Sequence, residues 1–326
     1  MDPRMNARGA VLTNHGRTTA SRRQALQGLG ALTLAVLSLG SGLRSADAQE
    51  ATPEGGDPLA EWGPGQTATI NGADLYYEVH GDPNGQPVLL LHGSLGSVED
   101  FDFLAPVLVG AGYRAVAMDC RGRGRSAWGD LPITYAQMAA DAVGLLDHLS
   151  IAKTDVVGWS DGAAIALDLA AHYPERLDRV VAYATNFTPE GLQFVESDQM
   201  IPFEYFIATY RRLAPQPERF EELLGVLDEL GKAGPNYSEA ELKNIAVPVL
   251  ILDGEADEFI TPDQARTMAQ LIPGATLVIM PGTGHFAVNA RPGLVNQIVL
   301  DYLAGKAVGE PATPTGATVG TATPAP

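Results

Sequence analysis

The stretch Val156–Ala166, VVGWSDGAAIA, decides how this chain is read. The residues leading into it, DVVGW, form an apolar run of the length expected for a buried strand. Those that follow, GAAIALDLAAHY, repeat apolar residues at helical spacing. Only Ser160 and Asp161 are polar at the joint. With Gly158 before it and Gly162 after it, Ser160 sits in a G-x-S-x-G pattern at a strand-to-helix turn, the context in which that pattern marks a nucleophile. Its hydroxyl would stand above the carboxyl edge of a sheet, where open α/β sheets bind ligands. The helix start beneath it offers free N–H groups and the positive end of the helix dipole. The competing reading of Ser160 is a plain helix N-cap.

Working outward, apolar runs recur as candidate strands at 67–70, 75–80, 88–92, 113–119, 154–158, 179–184, 247–253 and 276–280. The first two flank Asn71-Gly72-Ala73-Asp74, a hairpin signal. Helical periods fall at about 100–110, 134–149, 161–173, 262–271 and 292–305. Strand and helix alternate, which predicts an α/β fold with a mostly parallel sheet covered on both faces. Residues 187–244 break the rhythm with aromatic and charged helical stretches near 196–213 and 217–231, and read as an inserted lid. The core is then 66–186 together with 245–306. Residues 49–65 read as a linker, and the Thr/Pro/Ala tail 307–326 is too poor in bulky apolar residues to order itself. Residues 1–48 carry Arg22-Arg23, an apolar run from Leu29 to Leu39 and a small-residue A-x-A site at Ala46–Ala48. The run is short for a bilayer span. It resembles a cleaved twin-arginine signal of an exported bacterial protein, periplasmic or extracellular, with a Sec signal or a retained anchor as the alternatives.

Composition narrows the function. The 326 residues allow one large domain or two small ones, and 45% of them are apolar. A net charge of −18 argues against a nucleic-acid partner. One cysteine, Cys120, forbids an internal disulfide framework, and no two of the six histidines show helical metal-site spacing. No metal and no cofactor are expected, no membrane span remains after signal removal, and monomer and dimer stay equally open.

A serine needs a base oriented by an acid. Of the histidines, His285 in PGTGHFAV follows the last strand at a carboxyl-edge loop and is the candidate base. His15 lies in the signal, His80 ends an early strand, His92 opens a glycine loop, and His148 and His172 lie near helix ends. The acid is expected in LILDGEADEF, which offers Asp253, Glu255, Asp257 and Glu258; Asp257 leads and Asp253 is second. The oxyanion hole needs two N–H donors. Asp161 supplies one from its backbone, and the loop HGSLGS supplies the other from Ser94, or from Leu95 as the alternative.

Taken together, LLLHGSLGS, MDCRGRGRS, VVGWSDGAAIALDLAAHYPERL, LILDGEADEFITP and GTGHF resemble the α/β-hydrolase superfamily over roughly residues 67–305. The resemblance implies an eight-stranded sheet with an inserted lid, no cofactor, and Ser160, Asp257 and His285 as the catalytic residues. It makes Asp119-x-Arg121-Gly122-x-Gly124-x-Ser126 a structural signature rather than a phosphate loop. Many relatives carry a second glycine where Ala163 stands.

The expected activity is a serine hydrolase acting on carboxylic esters of small to medium size through an acyl-enzyme. Aminoacyl-ester hydrolase, lactonase, amidase, carbon–carbon bond hydrolase and cofactor-free haloperoxidase or perhydrolase remain alternatives on the same residues, as does a non-catalytic binding protein on this fold. Dehalogenase and epoxide hydrolase chemistry would need a carboxylate at position 160. Asp161 and Trp159 are candidate substrate-binding residues; GWSDG also resembles biphenyl-hydrolase-like enzymes, in which an acidic pocket suits a cationic amine. The competing reading of Asp161 is a carboxylate favoured by the helix dipole. A second pocket acid from the lid, Glu190, Glu196, Asp198 or Glu204, would support the cationic reading.

Overall fold

The computed structural model describes residues 65–308. The expected signal, most of the linker and most of the tail lie outside the described residues. The first hairpin follows from alternation: β1 (Gln66–Ile70) buries Ala68 and Ile70, and β2 (Ala73–His80) buries Ala73, Leu75 and Tyr77. Asn71 and Gly72 join them at φ +46° and +75°. That pair of positive φ values gives a two-residue turn whose twist matches the strands.

The remaining strands are β3 (Gln86–Leu91), β4 (Tyr113–Met118), β5 (Thr154–Trp159), β6 (Leu177–Tyr183), β7 (Val249–Gly254) and β8 (Thr276–Met280). The eight form one sheet in the order β1-β2-β4-β3-β5-β6-β7-β8. β2 runs antiparallel to β1 and β4, and every later pair is parallel. β5 is buried at all six positions, as a strand covered on both faces must be. On one face pack α2 (Tyr135–His148), α3 (Asp161–His172) and α7 (Pro262–Leu271), with Met138, Leu145, Ile165, Leu169 and Met268 in the shared core. On the other pack α1 (Ala105–Gly110), the short α8 (Ala287–Ala290) and α9 (Pro292–Leu303), around Leu90, Leu108, Val181 and Val299.

Between β6 and β7 the chain makes α4 (Phe203–Leu213), α5 (Phe220–Ala233) and α6 (Glu239–Lys243). The helix expected from residue 196 starts only at Phe203. Pro202 biases Ile201 away from helical geometry, and the chain upstream has another partner. Residues 192–195 lie against 258–260: Gln193 and Val195 donate their N–H groups to the carbonyls of Phe259 and Glu258, and Leu192 bridges to Ile260.

The Asp119–Ser126 stretch is structural. Asp119 accepts N–H bonds from Val98 and Arg125 at 2.7 and 2.6 Å, and the Ser126 hydroxyl donates to its carbonyl. Arg121 pairs with Asp141 through Nε and Nη2 at 2.6 and 2.7 Å, with both side chains buried. Gly124, at φ +51°, leaves room for the Asp119 carboxyl, which a Cβ would meet at 2.2 Å.

Candidate active site

The end of β5 and the start of α3 place Ser160. Its φ of +57° and ψ of −121° are strained for a residue with a side chain, and Tyr183 O holds its N–H at 2.9 Å. Both glycines are needed. A Cβ at Gly158 would lie 2.1 Å from Gly162 O, and one at Gly162 would lie 1.9 Å from Leu91 O. Ala163 is fully buried within α3 and takes the place of a further glycine without breaking the helix.

The loop after β8 brings in His285, whose Nε2 lies 3.0 Å from Ser160 Oγ and whose Nδ1 lies 2.8 Å from Asp257 Oδ2. Asp257 Oδ1 accepts the N–H groups of Phe259 and Ile260 at 2.8 and 2.7 Å. Burial by itself would raise the Asp257 pKa, but the His285 imidazole and these two donors outweigh it and hold the carboxyl below its ordinary range. A charged Asp257 keeps the His285 proton on Nδ1, which leaves Nε2 free to accept the proton of Ser160.

Asp253 does not reach His285. It ends β7 with Oδ1 accepting its neighbour's N–H, from Gly254, at 2.8 Å, while Oδ2 has no partner. Burial, then the charge of Asp257, push its pKa well above the ordinary carboxylate range. Glu255 sits at the surface, where it accepts the Gly282 N–H. Glu258 is buried and clamps the histidine loop: it accepts the His285 N–H at 2.7 Å and the Ser197 hydroxyl.

Trp159 is nearly buried and donates its indole N–H to His285 O at 3.1 Å, beside the Tyr183 hydroxyl at 2.9 Å. Its ring also lines an apolar cavity at Ser160 formed with Leu95, Phe206, Phe259 and Phe286. Ser94 and Leu95 line the same cavity, and the backbone N–H of neither donates to any group among the described residues. His92 stays neutral, its pKa pushed down to about 3 by burial and then by the Arg123 guanidinium. Its Nδ1–H donates to Gly93 O at 2.7 Å, and its Nε2 accepts the Cys120 N–H at 2.9 Å, so it shapes the Ser94 loop.

A second, more polar cavity at Ser160 is lined by Asp161, Tyr135, Thr185 and Asn186. None of Glu190, Glu196, Asp198 or Glu204 lines either cavity or the neighbouring one at Asp161, so the second pocket acid expected of a cation site is not supplied by the lid. Tyr135, Gln193 and Asn186 are site residues with no signal in the sequence. Gln193 donates to the carbonyls of Asp257 and Ile260 and ties the segment after β6 to the acid loop. Among the described residues no group of three His, Cys, Asp or Glu side chains is arranged to hold a metal, and no helix is long and apolar enough to cross a membrane.

Known proteins carry the same framework. The alpha/beta hydrolase family profile matches residues 88–298. A protein of a Caulobacter species named as a RutD carbamate hydrolase is 31% identical over 278 residues, covering 74% of this chain and 99% of its own. The human serine hydrolase BPHL is 29% identical over 270 residues, 76% of this chain and 89% of its own. Among solved structures, the meta-cleavage product hydrolase CumD superposes with a TM-score of 0.64 at 23% identity, covering 74% of this chain and 98% of its own. With the eight-stranded sheet, the strained serine at the β5–α3 turn and this match across most of its length, the chain belongs to the alpha/beta hydrolase family and is a hydrolase of that family.

Proposed function

We propose that this protein is an exported serine hydrolase that cleaves carboxylic esters of small to medium size. The observation that carries the reading is the continuous contact from Ser160 Oγ to His285 Nε2 at 3.0 Å and from His285 Nδ1 to Asp257 at 2.8 Å. Ser160 attacks the acyl carbonyl as His285 takes its proton. The backbone N–H groups of Asp161 and of Ser94, with Leu95 as the alternative, hold the oxyanion; each such donor is worth about 10²–10³-fold in rate. His285 then returns the proton to the leaving alcohol, and water releases the acid by the same steps in reverse order. The apolar cavity lined by Trp159, Phe206, Phe259 and Phe286 suits an uncharged ester substituent. Export rests on Arg22-Arg23 and the apolar run that follows.

The test is a panel of p-nitrophenyl esters, lactones, amides and carbamates, run with the wild type and Ser160→Ala, together with labelling by a fluorophosphonate probe. The reading expects ester hydrolysis and labelling that both vanish in Ser160→Ala. Full ester hydrolysis by that variant would refute the nucleophile, and turnover confined to carbamates or amides would refute the substrate class.

A further inference from the structure

The mechanism above uses only the backbone of Asp161, yet its side chain is buried and both carboxylate oxygens are engaged. Oδ2 accepts the Ser94 hydroxyl at 2.6 Å, and Oδ1 accepts the Tyr135 hydroxyl at 2.8 Å. A carboxylate placed in a first helical turn for the dipole alone gains about 0.3–1 kcal/mol and has no need to leave water. Buried, it requires partners, and here they are two hydroxyls. They come from different parts of the chain: Ser94 from the loop after β3, and Tyr135 from the first residue of α2.

Ser94 and Asp161 are also the residues whose N–H groups face the oxyanion in the proposed reaction. The Ser94 loop is glycine-bounded, with Gly93 before it and Gly96 after Leu95. A Cβ on Gly93 would lie 3.3 Å from Ser160 Cβ, so the loop rests against the nucleophile. Glycine lends the loop conformational freedom, and an oxyanion hole works only if its donors are preset. We propose that the Asp161 carboxylate is a positioning group that ties the Ser94 loop to the nucleophile turn and so fixes the spacing of the two oxyanion donors. The Ser94 hydroxyl donates to Oδ2 at 2.6 Å, a short hydrogen bond suited to that task. Tyr135 anchors the other oxygen and keeps the carboxylate from swinging toward solvent. The proposal rests on the serine-hydrolase reading. Its rival is that Asp161 selects a cationic acyl group.

The test compares wild type with Ser94→Ala, Tyr135→Phe, Asp161→Asn and the Ser94→Ala/Asp161→Asn double variant in the full chain. Two substrates are used, p-nitrophenyl acetate and an amino-acid p-nitrophenyl ester, with inhibition by an arylboronic acid, which forms a tetrahedral adduct on the serine. Ser94→Ala and Asp161→Asn should each lower kcat by about tenfold or more, by the same factor on both esters, with KM changed less than about threefold. Boronate affinity should fall in step with kcat. The double variant should be no worse than Asp161→Asn, because both changes cut one link. A loss confined to the cationic ester, a rise in KM alone, or losses that multiply in the double variant would each overturn the proposal. Should Asp161→Asn not fold, Ser94→Ala and Tyr135→Phe carry the same comparison. Absence of fluorophosphonate labelling in the wild type would be a different failure, that of the serine-hydrolase reading itself.

Discussion

Asp257→Asn puts the proposed role of the acid to a test whose outcome the surrounding backbone dictates. Asp257 Oδ1 accepts from the N–H groups of Phe259 and Ile260, and Oδ2 accepts from His285 Nδ1. Asparagine keeps a single side-chain acceptor and must choose where to aim it. With its NH2 toward Phe259 and Ile260, two buried donors lose their acceptor, at about 1–3 kcal/mol each. With its oxygen there, both bonds survive and the NH2 faces His285 Nδ1, which then must accept. The second arrangement wins by a few kcal/mol, and it forces the His285 proton onto Nε2, pointing at Ser160 Oγ. The imidazole can no longer take the serine proton. We expect kcat to fall by about 10⁴-fold, equivalent to roughly 5 kcal/mol of barrier, with stability lowered by only about 1–2 kcal/mol. Asp257→Ala carries no NH2, so His285 keeps its choice of tautomer and the loss is smaller. Steady-state ester hydrolysis at pH 7–9 reads kcat, and thermal melting reads stability. If Asp257→Asn retained more than about a tenth of wild-type kcat, or if Asp257→Ala were the worse of the two, the tautomer argument would be refuted.

Three further expectations follow from other parts of the fold. Gly162→Ala places a Cβ 1.9 Å from Leu91 O, backbone that cannot step aside, so melting should drop by roughly 6–12 °C, reflecting about 3 kcal/mol or more; an unchanged melting temperature would contradict that contact. Asp155 is buried with neither carboxylate oxygen hydrogen-bonded, and burial, eased by the Arg179 charge, lifts its pKa to about 6 from 3.8. Below about pH 4 the group is neutral folded and unfolded; between about pH 4 and 6 the unfolded chain ionises first, so the fold loses stability across that window and the loss is complete above it. Asp155→Asn should therefore leave the melting temperature unchanged at pH 4 and raise it at pH 8, by about 1–2 kcal/mol of stability; a drop at pH 8 would show that the charge is stabilising. Cys120 is fully buried, and burial pushes its thiol up to about 12, so a disulfide reagent should label it only after denaturation; fast labelling of the native protein would contradict its burial.

Much of the site lies close to regular structure and was legible for that reason. The β5–α3 turn shows in the chain as an apolar strand, two glycines two residues either side of Ser160, and an apolar helix. His285 follows the last strand in a carboxyl-edge loop, and the last helix comes after it, with the short α8 between. These assignments depend on the period of burial, which the chain carries locally.

Choosing among the acids of LDGEADE is harder, since they crowd the end of β7 and the loop after it, and the order of Asp257 before Asp253 rests on where their oxygens end up. Asp253 turns back to its neighbour's N–H, Glu258 takes the His285 N–H, and only Asp257 meets the ring. Likewise nothing in YAQMAADAV marks Tyr135 as the partner of Asp161, and nothing in 192–195 marks it as the segment whose N–H groups bond the carbonyls of Phe259 and Glu258. By itself, then, the sequence determined the layered α/β architecture and pointed to Ser160 and His285, which the structure places in contact, because periodicity and turn chemistry are local properties. Asp257 led among the acids in the sequence, but only tertiary structure set its contact with His285 apart from Asp253 and Glu258, and only tertiary structure decided what the Asp161 side chain holds. Irregular loops carry no period, and their side chains acquire partners only when distant segments pack against them.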